Sequence, residues 1–409
     1  MRKLLTKILC DKIQINTPDR NGENEVKVVV IGSGYAGVSA IQELEKRNSG
    51  NMDIEWVSDV DHHLVLHESH RCISDPNTQQ KIRIPIQDIK SEETEFTQAR
   101  VEAIRNKNDK IELDNGESID YDYLVVSVGS KTSFFGIDGL KENALTLKSL
   151  EDALEINNRL LNAQREEDGP KVVIGGGGLT GIQIAGEVKE LQKNVDGRFD
   201  THIVEGMDSI YPGNSDKVQK MLRSKLLDKN VRIHTGSFVE AVNPESIKLD
   251  NGNKMDYDVL IWAGGIEGQK CNVRSDLEVE DRSSRIKTRK TLQSYTESNV
   301  FVTGDAGYID HDDADSVPPK AQAAWDSGEV IAKNITNHMK AKSLDNFNYN
   351  DQGTVISVGK DAVAHGLDPI PLVNTLQGKP AVALKKSISS QWISSVTNPK
   401  KGMQAWSKM

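Results

Sequence analysis

Apolar residues run unbroken from Val28 to Ile31 and again from Val172 to Ile174, and each run stops at a glycine-rich turn, GSGYAG in the first case and GGGGLTG in the second. Short apolar runs bounded by turn residues predict strands. Beyond each turn the apolar positions change to helical spacing: Val38, Ile41 and Leu44 in the first segment, and Ile182, Ala185, Val188 and Leu191 in the second. The chain therefore spells strand, tight turn, helix twice. Three glycines per turn, Gly32, Gly34 and Gly37, then Gly176, Gly178 and Gly181, suit a backbone that turns sharply, admits a pyrophosphate at close range and packs its helix on its strand. The phosphate charge then meets the helix N-terminus.

A second pair of matching stretches follows the first. IELDNGESIDYDYLVVSVG, from Ile111, and IKLDNGNKMDYDVLIWAGG, from Ile247, align residue for residue. Each reads as a hairpin turning at Asn-Gly, Asn115-Gly116 or Asn251-Gly252, followed by a buried strand ending in glycine. Glycine turns serving loop geometry alone would not bring this second repeat with them. The pattern predicts an α/β chain with two Rossmann-like dinucleotide-binding domains. A further strand, Asn299 to Thr303, delivers Gly304 and Asp305 as a second contact for a long cofactor.

Length and charge narrow the function classes. A chain of 409 residues holds two domains and an appendage. The formal charge of -10 and the lack of a basic, aromatic-interleaved stripe disfavour nucleic acid. Cys10, Cys72 and Cys271 show no CxxC spacing, which argues against a disulfide active site, a zinc site or an iron-sulfur cluster. No apolar run approaches the roughly 18 residues of a membrane span. The opening MRKLLTKILC makes a poor signal peptide, and residues 1–25 are expected to be a mobile tail. The run Asp310, His311, Asp312, Asp313, Asp315 fits no specific calcium loop and reads as solvated, so no metal is expected.

With IGSGYAG, HLVLHE, YDYLVVSVGSKTSFFGI, GGGGLTGIQIAGE, IWAGG, FVTGDAG, PPKAQAA and VGKDAVA in view, the chain from about Val26 onward resembles the two-dinucleotide-binding-domain flavoproteins. Within them it is most similar to the type II NADH dehydrogenases, particularly their archaeal relatives. The resemblance implies that the first unit holds non-covalent FAD through Gly32, Gly34, Tyr35, Ala36 and Gly37, with Val101, Gly129, Ser130 and Gly304 alongside. Asp305 would receive the ribityl hydroxyls, and the helix after Pro318 would aim its N-terminus, at Ala321 and Gln322, toward the flavin pyrimidine. The carboxylate that usually takes the adenosine ribose aligns with Ser58, and Asp59 beside it is chosen. The second unit would hold NADH through Gly176, Gly178, Leu179, Thr180 and Gly181, with Gly264 and Gly265 nearby. Glu205, at the end of THIVE, is placed for a ribose 2′-hydroxyl, and no arginine follows to accept a 2′-phosphate, so NADH is favoured over NADPH. The early histidines His62, His63, His67 and His70 are expected near the flavin domain.

Electrons then need an exit. No cysteine pair flanks a landmark, which leaves direct transfer from flavin to a diffusible acceptor, a membrane quinone in the resembled family. That family's quinone motif begins Ala-Gln, kept here as Ala321-Gln322, and normally continues to a glutamine pair, where this chain has Asp326 and Ser327. Lys320 beside the motif could polarise flavin or acceptor. Gln183 replaces a glutamate proposed to relay protons or position nicotinamide; an amide aligns a carboxamide but exchanges no proton. Gln183, Gln322 and Lys320 are the catalytic candidates, Gln322 and Asp326 the quinone contacts, and Glu187 reads as helix surface.

From Lys379 to Met409 there are six lysines and no acid. Leu384, Ile388, Trp392, Ile393 and Val396 share one helical stripe, and Met403, Trp406 and Met409 another. Lysines near anionic headgroups contribute about 1 kcal/mol each and tryptophan prefers the interface, so residues 379–409 are expected to anchor the chain monotopically on the cytoplasmic membrane face. The competing reading packs these stripes on the protein's own body or a partner subunit. The expected division is a tail at 1–25, a FAD-binding domain at 26–147 and 286–345, a NADH-binding domain at 148–285 and a membrane-associating region at 346–409, with a homodimer allowed. The expected activity is non-proton-pumping NADH:quinone oxidoreduction. Its rivals are an NADH reductase of a soluble acceptor and a redox-responsive binding protein resembling apoptosis-inducing factors.

Overall fold

The computed structural model describes residues 25–312, 314–367 and 374–408, with side chains up to 404. The expected N-terminal tail, Glu25 aside, lies outside the described residues, as do Cys10, Asp313, Met409 and the side chain of Trp406. The chain divides into two compact units, one of residues 1–60, 90–129 and 268–349, the other of residues 61–89, 130–267 and 350–409.

In the first unit five parallel strands stand in the order Val300–Val302, Tyr123–Val126, Val26–Ile31, Met52–Ser58, Glu95–Gln98. The central strand is buried on both faces from Val28 to Ile31, which is why it reads as a continuous apolar run rather than an alternating one. In the second unit four parallel strands stand in the order Val259–Trp262, Lys171–Gly175, Asp200–Glu205, Arg232–Thr235. Both sheets place the second strand on one side of the glycine-turn strand and the strand after the hairpin on the other. The repeat seen in the sequence is thus a repeat of topology.

The hairpins recur as well. Val101–Arg105, Lys110–Leu113 and Ser118–Asp120 form one antiparallel meander, and Val239–Asn243, Ser246–Leu249 and Lys254–Asp256 the other. Each has a register shift at the same place, between Val101 and Ala103 and between Val239 and Ala241. Gly116 and Gly252 close the turns at φ +86° and +83°, backbone that only glycine adopts without strain.

Residues 354–408 are more than a helical appendage. Strands Thr354–Val358, Asp361–His365 and Thr375–Gln377 form an antiparallel sheet, and helices Lys379–Val396 and Pro399–Lys408 follow it. Within the second unit the first of these helices buries Ala381, Lys385, Ser389, Trp392, Ile393 and Val396. The stripe expected to face lipid is corrected accordingly: Trp392 is 1% exposed and its indole N–H donates to His63 Nε2 at 2.8 Å, while Ile388 stays exposed. Packing on the chain's own body, the competing reading, accounts for Trp392, Ile393 and Val396. Among the described residues no helix is long and apolar enough to cross a membrane.

Candidate functional site

Because all five strands of the first sheet run the same way, their C-terminal ends share one edge, and the loops leaving it carry the candidate residues. Gly32 follows Ile31, Asp59 follows Ser58, Gly129 lies beyond Val126, and Gly304-Asp305 beyond Val302. The three turn glycines have three different steric roles. Gly32 sits at φ +104°, and a Cβ there would lie 2.4 Å from the Ser127 carbonyl oxygen; a Cβ on Gly37 would lie 2.0 Å from the Gly32 oxygen. Gly34 has open space where its Cβ would be. Gly32 makes the turn, Gly37 lets the helix close on it, and Gly34 keeps a face of backbone clear.

That clear face caps helix Tyr35–Arg47, whose N-terminus has no side-chain cap and no acid in its first turn. An uncapped helix start with an open approach is suited to a phosphate. Tyr35 and Ala36 are buried. Gly304 comes close to the same helix, a Cβ there lying 3.2 Å from Ala36 Cβ and 3.5 Å from Ala324 Cβ. The strand-end turn carrying Asp305 and helix Ala321–Met339 therefore meet the glycine turn. Helix Ala321–Met339 also begins without a side-chain cap or first-turn acid, at half-buried Lys320.

Sequence reasoning missed the groups that brace this turn. The buried Trp56 indole donates to the Gly32 carbonyl at 2.9 Å, and the Ser127 hydroxyl donates to the Ile31 carbonyl at 2.7 Å. Ser58, which ends its strand at the position that Glu205 holds in the second sheet, is tied to Ser33 Oγ at 2.9 Å and buried, whereas Asp59 is half exposed, 3.6 Å from Arg100. Val101 lies in the meander and Gly129 turns at φ +68°. Ser130, grouped with these in the sequence, falls in the second unit and accepts from Lys148 at 3.0 Å.

Around Gln322 the side-chain amide donates to Asp326 at 3.3 Å and accepts from Tyr349 at 3.3 Å. Desolvation pushes the Asp326 carboxyl up, opposed by the Gln322 amide. Ser327, by contrast, is fully buried: its hydroxyl donates to the Ala324 carbonyl at 2.7 Å and accepts from Thr303 at 2.6 Å. Ser327 holds helix to strand and presents nothing to a ligand.

The second unit repeats the cradle. Gly176 turns at φ +101°, a Cβ on Gly181 would lie 1.9 Å from the Gly176 oxygen, and Gly178 again has open space. Helix Leu179–Asn194 starts uncapped, with Leu179 exposed and Thr180 half-buried. Glu205 accepts the Gly177 N–H at 2.7 Å and the Met207 N–H at 2.9 Å. Its carboxylate is thereby pinned beside the turn. Gly264 and Gly265 leave the strand ending at Trp262, Gly265 at φ +67° against the Phe135 ring.

Gln183 lies in a buried polar cluster that periodicity did not reveal. Its amide donates to Ser357 Oγ at 3.2 Å, Lys385 Nζ donates to the same oxygen at 2.9 Å, and His70 Nε2 lies 2.7 Å from it. Gly186 lets the helix come this close, since a Cβ there would lie 2.3 Å from Gly359 N. Glu68 receives Ser389 Oγ at 2.8 Å and pairs with Arg71, and His67 Nε2 lies 2.7 Å from Ser389 Oγ. Burial pulls Lys385 down to about 8 and His67 down to about 4; it also lowers His70, so both imidazoles are neutral near pH 7. Burial would raise Glu68, but Lys385 and Arg71 outweigh it and hold the carboxyl well below the usual range. The early histidines, expected near the flavin domain, therefore belong to the second unit with the C-terminal helix. Glu187, expected on the helix surface, is 2% exposed.

Cys72 and Cys271 are buried and free, their thiols pushed up to about 12 and about 11 chiefly by burial, which keeps them protonated and unreactive near neutral pH. Asp310 and Asp312 of the acidic loop are engaged by Tyr295 and Lys290. Among the described residues no group of three metal-ligating side chains comes together.

Known proteins resemble the chain over nearly its whole length. It is 27% identical to the type II NADH:quinone oxidoreductase of Staphylococcus saprophyticus, covering 90% of this chain and 95% of the relative. Its fold is similar to that of NDH2 from Plasmodium falciparum in complex with NADH, with a TM-score of 0.80 at 16% identity over 94% of this chain and 98% of that one. It is similar also to the sulfide:quinone oxidoreductase of Aquifex aeolicus, with a TM-score of 0.77 at 19% identity over 91% and 92% of the two chains. Residues 26–328 match the model of the pyridine nucleotide-disulphide oxidoreductases, and the chain belongs to that family.

Proposed function

We propose that the chain is a flavoprotein that oxidises NADH and reduces a quinone, with FAD as its bound cofactor. The observation that carries this reading is the doubled cradle: two uncapped helix starts, each behind three glycines that turn, clear and pack in the same way. Bound flavin supplies the two-electron chemistry, taking hydride from NADH and giving electrons to the acceptor. The rest is binding and orientation by this chain. Gly32, Gly34 and Gly37 receive the FAD pyrophosphate, Asp305 the ribityl hydroxyls, Asp59 the adenosine ribose, and the start of helix Ala321–Met339 the pyrimidine edge, with Val101, Gly129 and Ser130 as further contacts. Gly176, Gly178, Leu179, Thr180 and Gly181 receive the NADH pyrophosphate, with Gly264 and Gly265 on the nicotinamide side. Gln183, held by Ser357, offers its amide oxygen to a carboxamide. Lys320, Gln322 and Asp326 are left for the acceptor.

Glu205 selects the nucleotide. Its carboxylate, pinned by two backbone N–H groups, accepts ribose hydroxyls and repels a 2′-phosphate. Glu205→Gln is expected to raise the KM for NADH about tenfold while improving relative use of NADPH, the loss of one charge-assisted hydrogen bond contributing about 1.5–3 kcal/mol. Initial rates with the two nucleotides check it, and an unchanged NADPH/NADH ratio would remove Glu205 from the ribose.

The acceptor side and the membrane follow from what stays exposed. Among the described side chains, Ile388 and Met403 are the large apolar ones left exposed on the C-terminal helices, with Lys386 and Lys400 as cations, and this face is read as a monotopic contact with an anionic membrane surface on the cytoplasmic side. The soluble-acceptor reading draws on Ser327: its burial removes one of the two positions where the resembled family keeps glutamines. Stopped-flow absorbance on protein bound to anionic liposomes separates the two. NADH should bleach the flavin anaerobically, and menaquinone or ubiquinone analogues should restore it within the time of one turnover. Bleaching without reoxidation by any quinone would transfer the acceptor to a soluble partner, and no bleaching would overturn the nicotinamide site.

A further inference from the structure

Behind the turn that carries Gly304 and Asp305 lies a cation that no acid touches. Arg285 stands one residue before strand Ile286–Thr288, which pairs in parallel with Gly307–Ile309, the strand leaving that turn. The pairing brings its side chain back against the turn, where it is 5% exposed. There Nε donates to the Asp305 carbonyl at 3.0 Å, the end of the guanidinium donates to the Gly307 carbonyl, and Cζ lies over the Tyr308 ring, 5.8 Å from its centre. The buried Asn272 amide lies 3.5 Å from the Ala306 carbonyl. All three successive carbonyls of the turn are thus held by buried side chains. Because a trans peptide is planar, fixing the Asp305 carbonyl also fixes the Ala306 N–H, which points away from the guanidinium.

We propose that Arg285 is a positioning residue for bound FAD. It locks the turn that presents Asp305, and its buried positive charge favours negative charge on the cofactor, more so when the flavin is reduced than when it is oxidised. This rests on the flavoprotein reading above. A buried arginine is ordinarily paired with an acid or with a ligand of opposite sign. Asp305 and Glu280 act on Arg285 only through space, and among the described residues no carboxylate forms an ion pair with it. Burial pulls the guanidinium down and Asp305, Tyr308 and Glu280 oppose it, but an arginine keeps its proton throughout the working range. Carbonyl oxygens solvate this cation without neutralising it. Its field is screened far less than that of a surface charge. The turn it holds is also the one that meets the first glycine turn, since a Cβ on Gly304 would lie 3.2 Å from Ala36 Cβ. Hydride from NADH brings two electrons and one proton, a net single negative charge, onto the flavin, so a cation fixed behind that turn draws the equilibrium toward the reduced form.

Flavin affinity and reduction potential of Arg285→Met and Arg285→Lys test this. Methionine keeps apolar packing but neither the charge nor the donors. Its affinity for FAD, titrated into apoprotein, should fall about tenfold or more. Its preference for reduced over oxidised flavin should also fall about tenfold, which lowers the potential of a two-electron couple by about 30 mV. Lysine keeps the charge and loses the planar fork that spans two carbonyls, so FAD affinity should fall while the potential stays at the wild-type value. A methionine variant with the wild-type potential, or a lysine variant whose potential falls as far as that of the methionine variant, overturns the proposal and leaves Arg285 a scaffold residue. If the methionine variant does not fold, the lysine variant decides alone: an unchanged potential with weaker FAD binding supports the proposal, and a lowered potential overturns it. A wild-type protein that binds no FAD overturns the flavoprotein reading and the proposal with it. A yellow wild type bleached by NADH, with an unmoved potential in both variants, overturns the proposal alone.

Discussion

Alanine at Gly34 is expected to give a protein that folds normally and is purified without its yellow colour. Gly34 has extended backbone, φ -72° and ψ -175°, and no atom of the chain lies within 4 Å of where its Cβ would stand. The substitution costs the apoprotein little, about 1 kcal/mol at most for exchanging glycine at an N-cap. On the function proposed above, the space it fills is the space a pyrophosphate would take. Crowding a fitted contact costs about 1–3 kcal/mol, roughly ten- to a hundredfold in flavin affinity. Gly37→Ala makes the contrast, because its Cβ would stand 2.0 Å from the Gly32 carbonyl oxygen: both the melting temperature and the flavin content should fall. Flavin absorbance and thermal unfolding of the two purified variants check this. A fully yellow Gly34→Ala protein would mean that no cofactor approaches the first turn.

The parts of the fold that were legible in the sequence are those set by local periodicity. Apolar runs ending in glycine gave strands and turns because the central strands are buried on both faces, and Asn-Gly gave hairpins because Gly116 and Gly252 need positive φ. Less could be read where one element's surface is covered by another distant in sequence. The sequence reads Glu187, one turn beyond Gln183, as helix surface. In fact every residue from Gly181 to Leu191 is buried, since strand Thr354–Val358 packs on the other side, admitted by Gly186.

The same cause explains Lys385 and Trp392. Amphipathic spacing shows that a helix has a covered face but does not say what covers it, and lysine is the side chain least expected inside. Trp392 finds His63, and Lys385 finds Ser357, His70 and Glu68, across long stretches of sequence. Only the three-dimensional neighbourhood makes these burials affordable. The candidate site was legible to the extent that glycine geometry defines it, and its polar interior was not.

Glu68→Gln should be among the most destabilising single substitutions outside the glycine turns. Glu68 is 1% exposed and is the acid that compensates Lys385 and Arg71, with Lys385 itself only 3% exposed. Breaking a buried pair by removing one charge costs about 3–5 kcal/mol, whereas replacing both charges by apolar groups is often close to neutral. The double variant Glu68→Gln/Lys385→Met should therefore recover part of the loss, and denaturant unfolding of the four proteins measures the coupling. The pH dependence has a definite sign. Glu68, depressed in the fold, contributes stability that is present above its unfolded value of about 4.3 and is lost as pH falls through the lower folded value. Lys385, pulled down to about 8 in the fold from about 10.4 unfolded, makes stability rise with pH across that interval, because the unfolded chain still binds the proton that the folded chain has released. Without Glu68 the amine gives up its proton at a pH below 8, so the penalty of Glu68→Gln should be largest on the acid side of that lowered value, shrink as pH rises toward 8, where the wild-type amine also deprotonates, and level off above it. A penalty independent of pH, or a double variant no more stable than Glu68→Gln alone, would show that Lys385 is not the charge that Glu68 holds inside the fold.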